Sequence, residues 1–338
     1  MKISQAYIEI TNSCNLNCRS CYNRSGMKHL RQELSCTDFL KISDRLIGEF
    51  DCKRISLSGG EPTMNSEFAE ILDKSLSLSA SIAVITNGTT DCEKLINTYN
   101  SNNIAIQISL DGSCEEINSI TRGKGNFTKT VGFIEKLDTK NLPVIKMVVS
   151  KNNIDDVADF FEFVLAHNCI SEFDFVAPIG NAADSWEDIG LNAREKLNML
   201  RTIDALNKKH DTSVRLPYCT SICPLSSPET ELLVLIKPNG DLHPCQLLYS
   251  EKYKLGNILT DTKARITERM AEITAIAAKR QQTDLGGCNC CLAHQFCKGG
   301  CMALAEMRSG DSLANDGDCE YRKFQLVGFS AIEQGVIK

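Results

Sequence analysis

Residues 11–22 read TNSCNLNCRSCY and directly follow a short apolar stretch that we predict to be a β-strand. The run places three thiols, those of Cys14, Cys18 and Cys21, on one tight loop with the spacing C-x3-C-x2-C. Three thiolates on one loop can hold three irons of a [4Fe-4S] cluster and leave the fourth iron without a protein ligand. The spacing therefore indicates a metal centre with an open position, where a substrate or cofactor can bind.

Zinc and an ordinary ferredoxin site are the competing interpretations of these three cysteines. A structural zinc ion takes four ligands in a tetrahedron. His29 and Cys36 are the nearby residues that could complete one. Spacing alone favours the open iron-sulfur cluster over zinc.

The turn after the second predicted strand reads Gly59-Gly60-Glu61-Pro62. Together with the cysteine loop it resembles the radical S-adenosylmethionine (SAM) enzymes, whose signature is a C-x3-C-x2-C loop after the first strand. The resemblance implies that this turn receives the methionine amino group of SAM. Glycines permit a close backbone approach, and the Glu61 carboxylate can pair with an ammonium group. Without the cysteines, the two glycines would indicate only a plain strand-to-helix turn.

Two further strand ends are similar to segments at the barrel mouth of radical SAM enzymes. Asn87 follows the third predicted strand, and Ser109 precedes the turn at Asp111 after the fourth. The resemblance implies that Asn87, Ser109 and Arg122 contact SAM, and the fork of Arg122 suits its carboxylate. The alternative is that Asp111 caps a turn and Arg122 forms an ion pair at the surface.

Strands and helices are predicted to alternate over residues 1–210. The predicted strands are 6–10, 54–58, 82–86, 104–110, 144–149 and 172–177. The predicted helices are 37–50, 66–78, 92–99, 127–137, 154–167 and 193–208. Serial βα units imply a parallel sheet with right-handed crossovers. We therefore predict an α/β fold, a partial (β/α)6 TIM-like barrel, with every motif at the carboxyl end of a strand.

Residues 211–338 are predicted to form a smaller domain that is dense in cysteine. The Asn239-Gly240 pair between two extended runs is a strong hairpin signal, because both residues tolerate positive φ. This hairpin delivers Cys245 at its far end. Residues 288–301 read CNCCLAHQFCKGGC, with the spacing C-x2-C-x5-C-x3-C. This run resembles the SPASM extension of radical SAM enzymes, an iron-sulfur domain whose other elements match Cys223, Gly240 with Cys245, and Cys319.

With Cys219 included, this region has eight thiolates, enough for two fully ligated four-iron clusters. The resemblance implies that their ligands interleave along the chain. The first set is Cys219, Cys223, Cys245 and Cys301, and the second set is Cys288, Cys291, Cys297 and Cys319. Two four-cysteine zinc sites are the competing interpretation. His294 lies between cysteines of the second set, and we expect it to donate a hydrogen bond to sulfide rather than to bind metal.

The remaining thiols are predicted to behave as small hydrophobic side chains. They are Cys36, Cys52, Cys92, Cys114, Cys169 and Cys290. Cys290 is the exception, because it lies inside the cysteine run and could donate a hydrogen atom or serve as an alternative ligand. A disulfide framework is disfavoured, since the chain starts without an apolar signal segment and is long enough to bury a core.

Composition limits the possible partners. A net charge of −6 over 338 residues argues against a nucleic-acid substrate, for which a basic face is expected. No apolar run reaches membrane-spanning length. The many cysteines indicate a reducing cytoplasm.

The resemblance implies an enzyme that cleaves SAM reductively to a 5′-deoxyadenosyl radical, which then abstracts a hydrogen atom from the substrate. If the two C-terminal clusters accept an electron, the reaction is an oxidative modification of a peptide or protein, by crosslink, thioether or dehydrogenation. A small-molecule dehydrogenase or epimerase of the aminosugar type is the alternative. A non-catalytic electron-transfer or zinc-stabilised binding protein is a further one. We expect an external electron donor such as flavodoxin or ferredoxin.

Two features bear on the substrate. Sulfatase-maturing relatives are expected to carry an aspartate base directly after the hairpin-end cysteine, where this chain has Gln246. Gln246 cannot act as that base, which disfavours sulfatase maturation and leaves other peptide chemistry open. The first strand begins almost at Met1, so we expect either a separate leader-peptide-binding protein or a substrate too small to need a leader.

Overall fold

The computed structural model describes residues 1–27, 31–101, 103–215, 223, 225, 232–282, 285, 288–291 and 294–323. Cys219 and His29 lie outside these ranges, so their predicted roles have no structural description. No helix among the described residues has both the length and the apolar composition that crossing a membrane requires.

The described strands form one sheet. They are β1 (Ile3–Thr11), β2 (Arg54–Gly59), β3 (Ser81–Thr86), β4 (Ala105–Ser109), β5 (Val144–Val149), β6 (Ile170–Phe175), β7 (Leu232–Ile236), β8 (Asp241–His243) and β9 (Gly256–Asn257). Their order across the sheet is β6-β5-β4-β3-β2-β1-β7-β8-β9. β1 to β6 pair in parallel in chain order, β7 pairs in parallel with β1, and β8 and β9 are antiparallel. This arrangement confirms the parallel α/β sheet and the hairpin.

Helices follow the strands along the chain. In the described ranges they are α1 (Cys36–Phe50), α2 (Phe68–Ser75), α3 (Glu93–Asn100), α4 (Glu115–Arg122), α5 (Asn126–Ile134), α6 (Val157–Ala166), α7 (Asn181–Asp184), α8 (Trp186–Ile189), α9 (Ala193–His210), α10 (Lys263–Gln282), α11 (His294–Cys297), α12 (Met302–Ser309) and α13 (Cys319–Lys323). Their ends follow local chemistry. In α9, for example, Asn192 and Glu195 form a reciprocal capping box at the start.

β1 is the strand around which the core is built. Ile8 and Ile10 of this strand are fully buried, and β1 has a parallel neighbour on each side. Ile266 and Ile273 of α10 belong to the same hydrophobic cluster. Sheet and core thus continue across the predicted boundary between residues 210 and 211, and the division into two domains stays a prediction.

α4 is one of several helices in the described ranges that were not predicted. α4 has the sequence EEINSITR, which offers few apolar positions for a helical pattern. Tertiary hydrogen bonds hold it instead, since the Asn118 side-chain oxygen accepts the Asp111 N–H at 2.9 Å. Predicted strand ends also shift slightly, and β6 begins at Ile170 rather than at residue 172.

Candidate active site and cysteine clusters

A cavity of about 240 Å3 lies at the carboxyl ends of the parallel strands. Residues that end β2, β3 and β4 contribute to its wall, which is where barrel folds place their chemistry. The predicted site residues that line it are Cys14, Cys18, Cys21, Gly59, Gly60, Asn87, Ser109 and Arg122. The structure therefore brings the cysteine loop and most of the predicted SAM contacts to one place.

The glycine turn touches the cysteine loop. The Gly60 N–H donates to the Thr11 carbonyl at 2.8 Å, and the Glu61 N–H donates to the Ser13 carbonyl at 2.8 Å. A Cβ on Gly59 would lie 2.1 Å from the Thr11 oxygen, and one on Gly60 would lie 2.0 Å from the Ser13 oxygen. Both contacts are far too short for a carbon atom, so only glycine permits this approach.

Two further segments hold the other side of the loop. The Arg19 N–H donates to the Thr121 carbonyl at the end of α4, at 2.9 Å. From the start of α7, the Asn181 amide group donates to the Cys18 carbonyl at 2.8 Å, and the Asn181 N–H donates to the Cys21 carbonyl at 2.9 Å. Backbone and side-chain groups of the protein thus fix the loop between the two later cysteines.

Glu61 lies behind the cavity wall. Its side chain is fully buried, and its oxygens accept hydrogen bonds from the Thr86 hydroxyl at 2.8 Å and the Asn87 N–H at 2.8 Å. The Thr63 hydroxyl donates a third, also at 2.8 Å. Burial raises the pKa of Glu61, and these hydrogen bonds oppose the rise. The carboxylate thus joins the turn after β2 to the end of β3, and its pairing with SAM stays a prediction.

Hydrogen-bond donors surround the Cys14 sulfur. The Leu16 N–H lies 3.4 Å from it, and the Asn87 amide nitrogen lies 3.9 Å from it while donating to the Asn15 oxygen at 2.9 Å. Burial raises the pKa of Cys14 to about 12. A metal must therefore displace a tightly held proton, and N–H groups aimed at sulfur stabilise the thiolate that results.

Arg122 provides the positive charge beside the cysteine loop. Its Nε lies 2.8 Å from Asp111 Oδ2, and Asp111 is fully buried. The ion pair that we considered as an alternative is therefore present, but it is buried beside the loop rather than at the surface. Burial raises the pKa of Cys18 to about 11, and the Arg122 guanidinium opposes this rise. Three thiols on one cavity with a nearby cation and N–H donors fit a cysteine-bound anionic cluster.

The described C-terminal cysteines fall into two groups. Burial raises the pKa of Cys245 to about 12, and the Cys223 thiol adds to this rise. Burial lowers the pKa of Arg280, and the thiols of Cys301 and Cys223 both oppose this effect. The second group is Cys291, Cys297 and Cys319: burial raises the pKa of Cys297 and of Cys319, and the Cys319 thiol adds to the rise at Cys297 while the Cys291 thiol adds to the rise at Cys319. The two interleaved ligand sets stay a prediction.

The surroundings of the second group also suit a cluster. His294 Nε2 is buried and has no hydrogen-bond partner among the described residues. Such an orphaned group calls for a partner, and sulfide between Cys291 and Cys297 is the one we predicted. Cys288 lies one turn before Cys291, and its carbonyl accepts a hydrogen bond from the Cys291 N–H at 3.0 Å. Within the described ranges, no three His, Cys, Asp or Glu side chains converge on a single ion. A four-iron cluster makes a different demand, since each thiolate binds its own iron.

Family comparisons cover both the part of the chain with the cysteine loop and the cysteine-rich C-terminal part. The sequence pattern of the Radical SAM superfamily matches residues 8–164, and that of an iron-sulfur cluster-binding domain, SPASM, matches residues 229–292. The chain belongs to the radical SAM enzymes with a SPASM domain.

Relatives of this radical SAM enzyme include proteins named for maturation. Mycofactocin maturase MftC of Mycolicibacterium smegmatis is 29% identical over 308 residues, which cover 87% of this chain and 77% of MftC. Sporulation killing factor maturation protein SkfB of Bacillus subtilis is 28% identical over 277 residues, covering 77% of this chain and 63% of SkfB. Among solved structures, native anSMEcpe with bound AdoMet and Cp18Cys peptide superposes with a TM-score of 0.77 over 99% of each chain, at 19% identity. That likeness shows the fold.

Sequence reasoning missed a polar inner wall of the radical SAM cavity. Lys146 of β5 lies 2.6 Å from Asp174 and 2.9 Å from Glu172, which are both on β6. Lys146 and Asp174 line the cavity, as does Tyr7 of β1. The two carboxylates raise the pKa of Lys146 against the effect of burial, so the ammonium stays charged. The available signal was a charged residue at alternating positions of strands that should be apolar.

Gln246 and Cys290 differ in position. Gln246 lines the cavity, so the residue after Cys245 faces the same space as the cysteine loop. Cys290 is exposed and is not part of the cavity wall. Its role as a hydrogen-atom donor stays a prediction without support from this placement.

Proposed function

We propose that this radical SAM enzyme oxidatively modifies a precursor peptide whose reacting side chain enters the cavity between the cysteine loop and Gln246. One observation carries the proposal. The thiols of Cys14, Cys18 and Cys21 share a single cavity with Gln246, the neighbour of Cys245. The names of MftC and SkfB, a maturase and a maturation protein, support a peptide as the substrate class.

In this proposal Cys14, Cys18 and Cys21 would hold a [4Fe-4S] cluster, and SAM would bind next to it. The SAM contacts are assigned to Gly59, Gly60, Glu61, Asn87, Ser109 and Arg122. When bound, the cluster and SAM would supply the electron and the radical chemistry needed to remove a hydrogen atom from the substrate.

The chain's own residues position and shield these groups. Arg122 balances thiolate charge and offers its fork to a carboxylate. The Leu16 N–H and the Asn87 amide stabilise the Cys14 thiolate. Lys146 and Asp174 present a polar surface to the substrate in the cavity wall. A substrate that fills the cavity would exclude water and competing hydrogen donors.

We assign the remaining ligand cysteines to two further four-iron clusters, which makes three in total. The first would be held by Cys219, Cys223, Cys245 and Cys301, and the second by Cys288, Cys291, Cys297 and Cys319. Full cysteine ligation leaves no open iron, which favours electron transfer over substrate binding. A substrate that loses an electron in this way is oxidised, by crosslink, thioether formation or dehydrogenation.

The proposal extends to partners and location. It includes an external electron donor such as flavodoxin or ferredoxin, a separate leader-peptide-binding protein, and a reducing cytoplasm in which the clusters persist. It also includes division into a catalytic domain, 1–210, and a cluster domain, 211–338.

The test uses the anaerobically reconstituted full chain with SAM and a reductant. We expect formation of 5′-deoxyadenosine, and, with a precursor peptide encoded beside the gene, a product lighter by two hydrogen atoms. The control is the variant with Cys14→Ala, Cys18→Ala and Cys21→Ala, which should form no 5′-deoxyadenosine. Zinc in place of iron at these thiols would refute the proposal. A product that takes up solvent deuterium at a carbon atom and has not lost two hydrogen atoms would identify the reaction as an epimerisation rather than an oxidation.

A further inference from the structure

Three charged side chains are buried against the backbone of Gly300 and Cys301. Arg280 is 2% exposed, Asp316 is 1% exposed and Arg322 is 2% exposed. Burying charge is costly unless an opposite charge compensates it. Two guanidinium groups and one carboxylate leave a net charge of +1 in this cluster of side chains, which we call the buried charge triad.

Arg280 donates to neutral groups. Its Nη1 donates to the Gly300 carbonyl at 2.6 Å, and its Nη2 donates to the Ala314 carbonyl at 2.7 Å. Nη2 also bonds the Gly299 carbonyl, and Nε bonds the Ala314 carbonyl at 3.1 Å. Carbonyl oxygens satisfy the N–H groups but do not cancel the charge.

Asp316 is engaged elsewhere. Its Oδ2 accepts hydrogen bonds from Arg322 Nε at 2.8 Å and from the Cys301 N–H at 2.9 Å. The Gly300 carbonyl and the Cys301 N–H belong to one peptide unit, so Arg280 binds its oxygen while Asp316 binds its N–H. Asp316 with Arg322 forms a neutral pair, and Arg280 carries the remaining charge.

The thiols next to Arg280 can supply the missing negative charge. Burial lowers the pKa of Arg280, whereas Asp316 and the thiols of Cys301 and Cys223 raise it. Burial raises the pKa of Cys297 and Cys319, and the Arg322 guanidinium opposes this rise. Each cysteine group thus has one arginine of the triad beside it.

We infer that Arg280 is the counter-charge of an iron-sulfur cluster held by Cys223, Cys245 and Cys301, and that its positive charge raises the reduction potential of that cluster. Reduction adds one electron and breaks no bond, and a buried cation favours the more negative product. Arg280 is thus a positioning residue that acts through the cluster. The inference rests on the proposed function, which supplies the cluster.

The test is a redox titration followed by electron paramagnetic resonance. The parent is the full chain with Cys14→Ala, Cys18→Ala and Cys21→Ala, which removes the N-terminal cluster and leaves the C-terminal ones to be measured. In this parent, Arg280→Met should lower the equilibrium constant for reducing one cluster about tenfold, which corresponds to about 59 mV for one electron. The second cluster should shift less. Arg265→Met is the matched control, because Arg265 lies on the same helix with its side chain 73% exposed, and it should change neither potential.

Arg280→Lys separates charge from hydrogen bonding. Lysine keeps the charge but cannot reproduce the fork that binds three carbonyls. The inference expects a potential near that of the parent, even if Arg280→Met fails to load iron. If Arg280→Lys lowers the equilibrium constant for reducing the cluster tenfold, or if this variant fails to load iron, the effect of Arg280 comes from its hydrogen bonds and the inference is overturned.

Two outcomes distinguish this inference from the proposed function. A loaded Arg280→Met protein with unchanged potentials refutes the role of Arg280 alone. A parent protein that loads no C-terminal cluster refutes the three-cluster assignment in the proposed function, and the inference falls with it.

Discussion

Gly60 shows how a single residue sets the geometry of this site. Its backbone approaches the Ser13 carbonyl so closely that no side chain fits between them. Sequence reasoning identified this glycine from the turn motif and explained it by the approach of SAM. The structure adds a second reason, because the cysteine loop itself occupies the space. Motif spacing therefore located the residue, whereas its contact required the fold.

The first prediction concerns Gly60→Ala. A methyl group 2.0 Å from the Ser13 oxygen must displace the loop that carries Cys14, so we expect iron loading at the N-terminal site to fall at least tenfold. Iron analysis and 5′-deoxyadenosine formation measure this. Gly132→Ala is the control, because a Cβ there meets nothing within 4 Å and the residue lies within α5. It should be neutral or stabilise the protein by up to about 1 kcal/mol. Equal loading in both variants would contradict the role of the close approach.

The second prediction concerns Glu61→Gln. An amide in place of the carboxylate turns one acceptor into a donor that faces the Asn87 N–H. We expect a loss of about 2 kcal/mol in the free energy of unfolding without SAM, since a buried donor would lose its acceptor. Glu93→Gln, at an exposed position in α3, should change stability by less than about 0.5 kcal/mol. Unchanged stability with weaker SAM binding would instead assign Glu61 directly to SAM.

Among the elements, α9 links the barrel to the C-terminal cysteine segment. Lys196 of α9 is 3% exposed, and its Nζ lies 2.7 Å from Asp318, the residue before Cys319. Arg308 of α12 also binds Asp318 at 2.9 Å. The helix itself was predicted from its apolar periodicity. This contact was not, because periodicity indicates which face is buried but not which distant segment covers it.

The third prediction tests this contact with Lys196→Met. Removing one partner of a buried ion pair leaves charge without full compensation, so we expect the free energy of unfolding to fall by about 3 kcal/mol. Lys208→Met on the same helix is the control, since its pair with Asp204 is exposed and should contribute less than about 1 kcal/mol. Thermal and urea unfolding of both variants compare them. Similar losses in the two would show that burial of the Lys196 pair has no special effect.

Across the whole molecule, β1 joins the two parts of the chain in one sheet. The strands β1 to β6 follow from runs of β-branched residues that alternate with helices, which the sequence displays locally. The pairing of β1 with β7 joins residues more than two hundred positions apart, and no local pattern encodes it. The polar inner wall escaped prediction for a related reason. Lys146 and Asp174 form no motif along the chain and meet only when their strands pair.

The fourth prediction follows from this shared sheet. A fragment of residues 1–215 would expose the edge of β1 and lose the apolar residues of β7 and α10 from the core. Exposed apolar edge strands pair with other chains, so we expect the fragment to aggregate. Co-expression with residues 216–338 should restore a soluble complex, as measured by size-exclusion chromatography. A fragment that stays monomeric and folded alone would show that the barrel does not need β7.

The anchoring of the cysteine loop has a consequence for how the enzyme responds to damage by oxygen. The bonds that hold the loop, from Gly60, Glu61, Arg19 and Asn181, all join protein groups to one another. Small zinc domains, by contrast, unfold when their metal is removed. Oxygen that destroys the iron centre would here leave the scaffold standing. We therefore expect iron and sulfide to refill this preformed site without refolding of the chain.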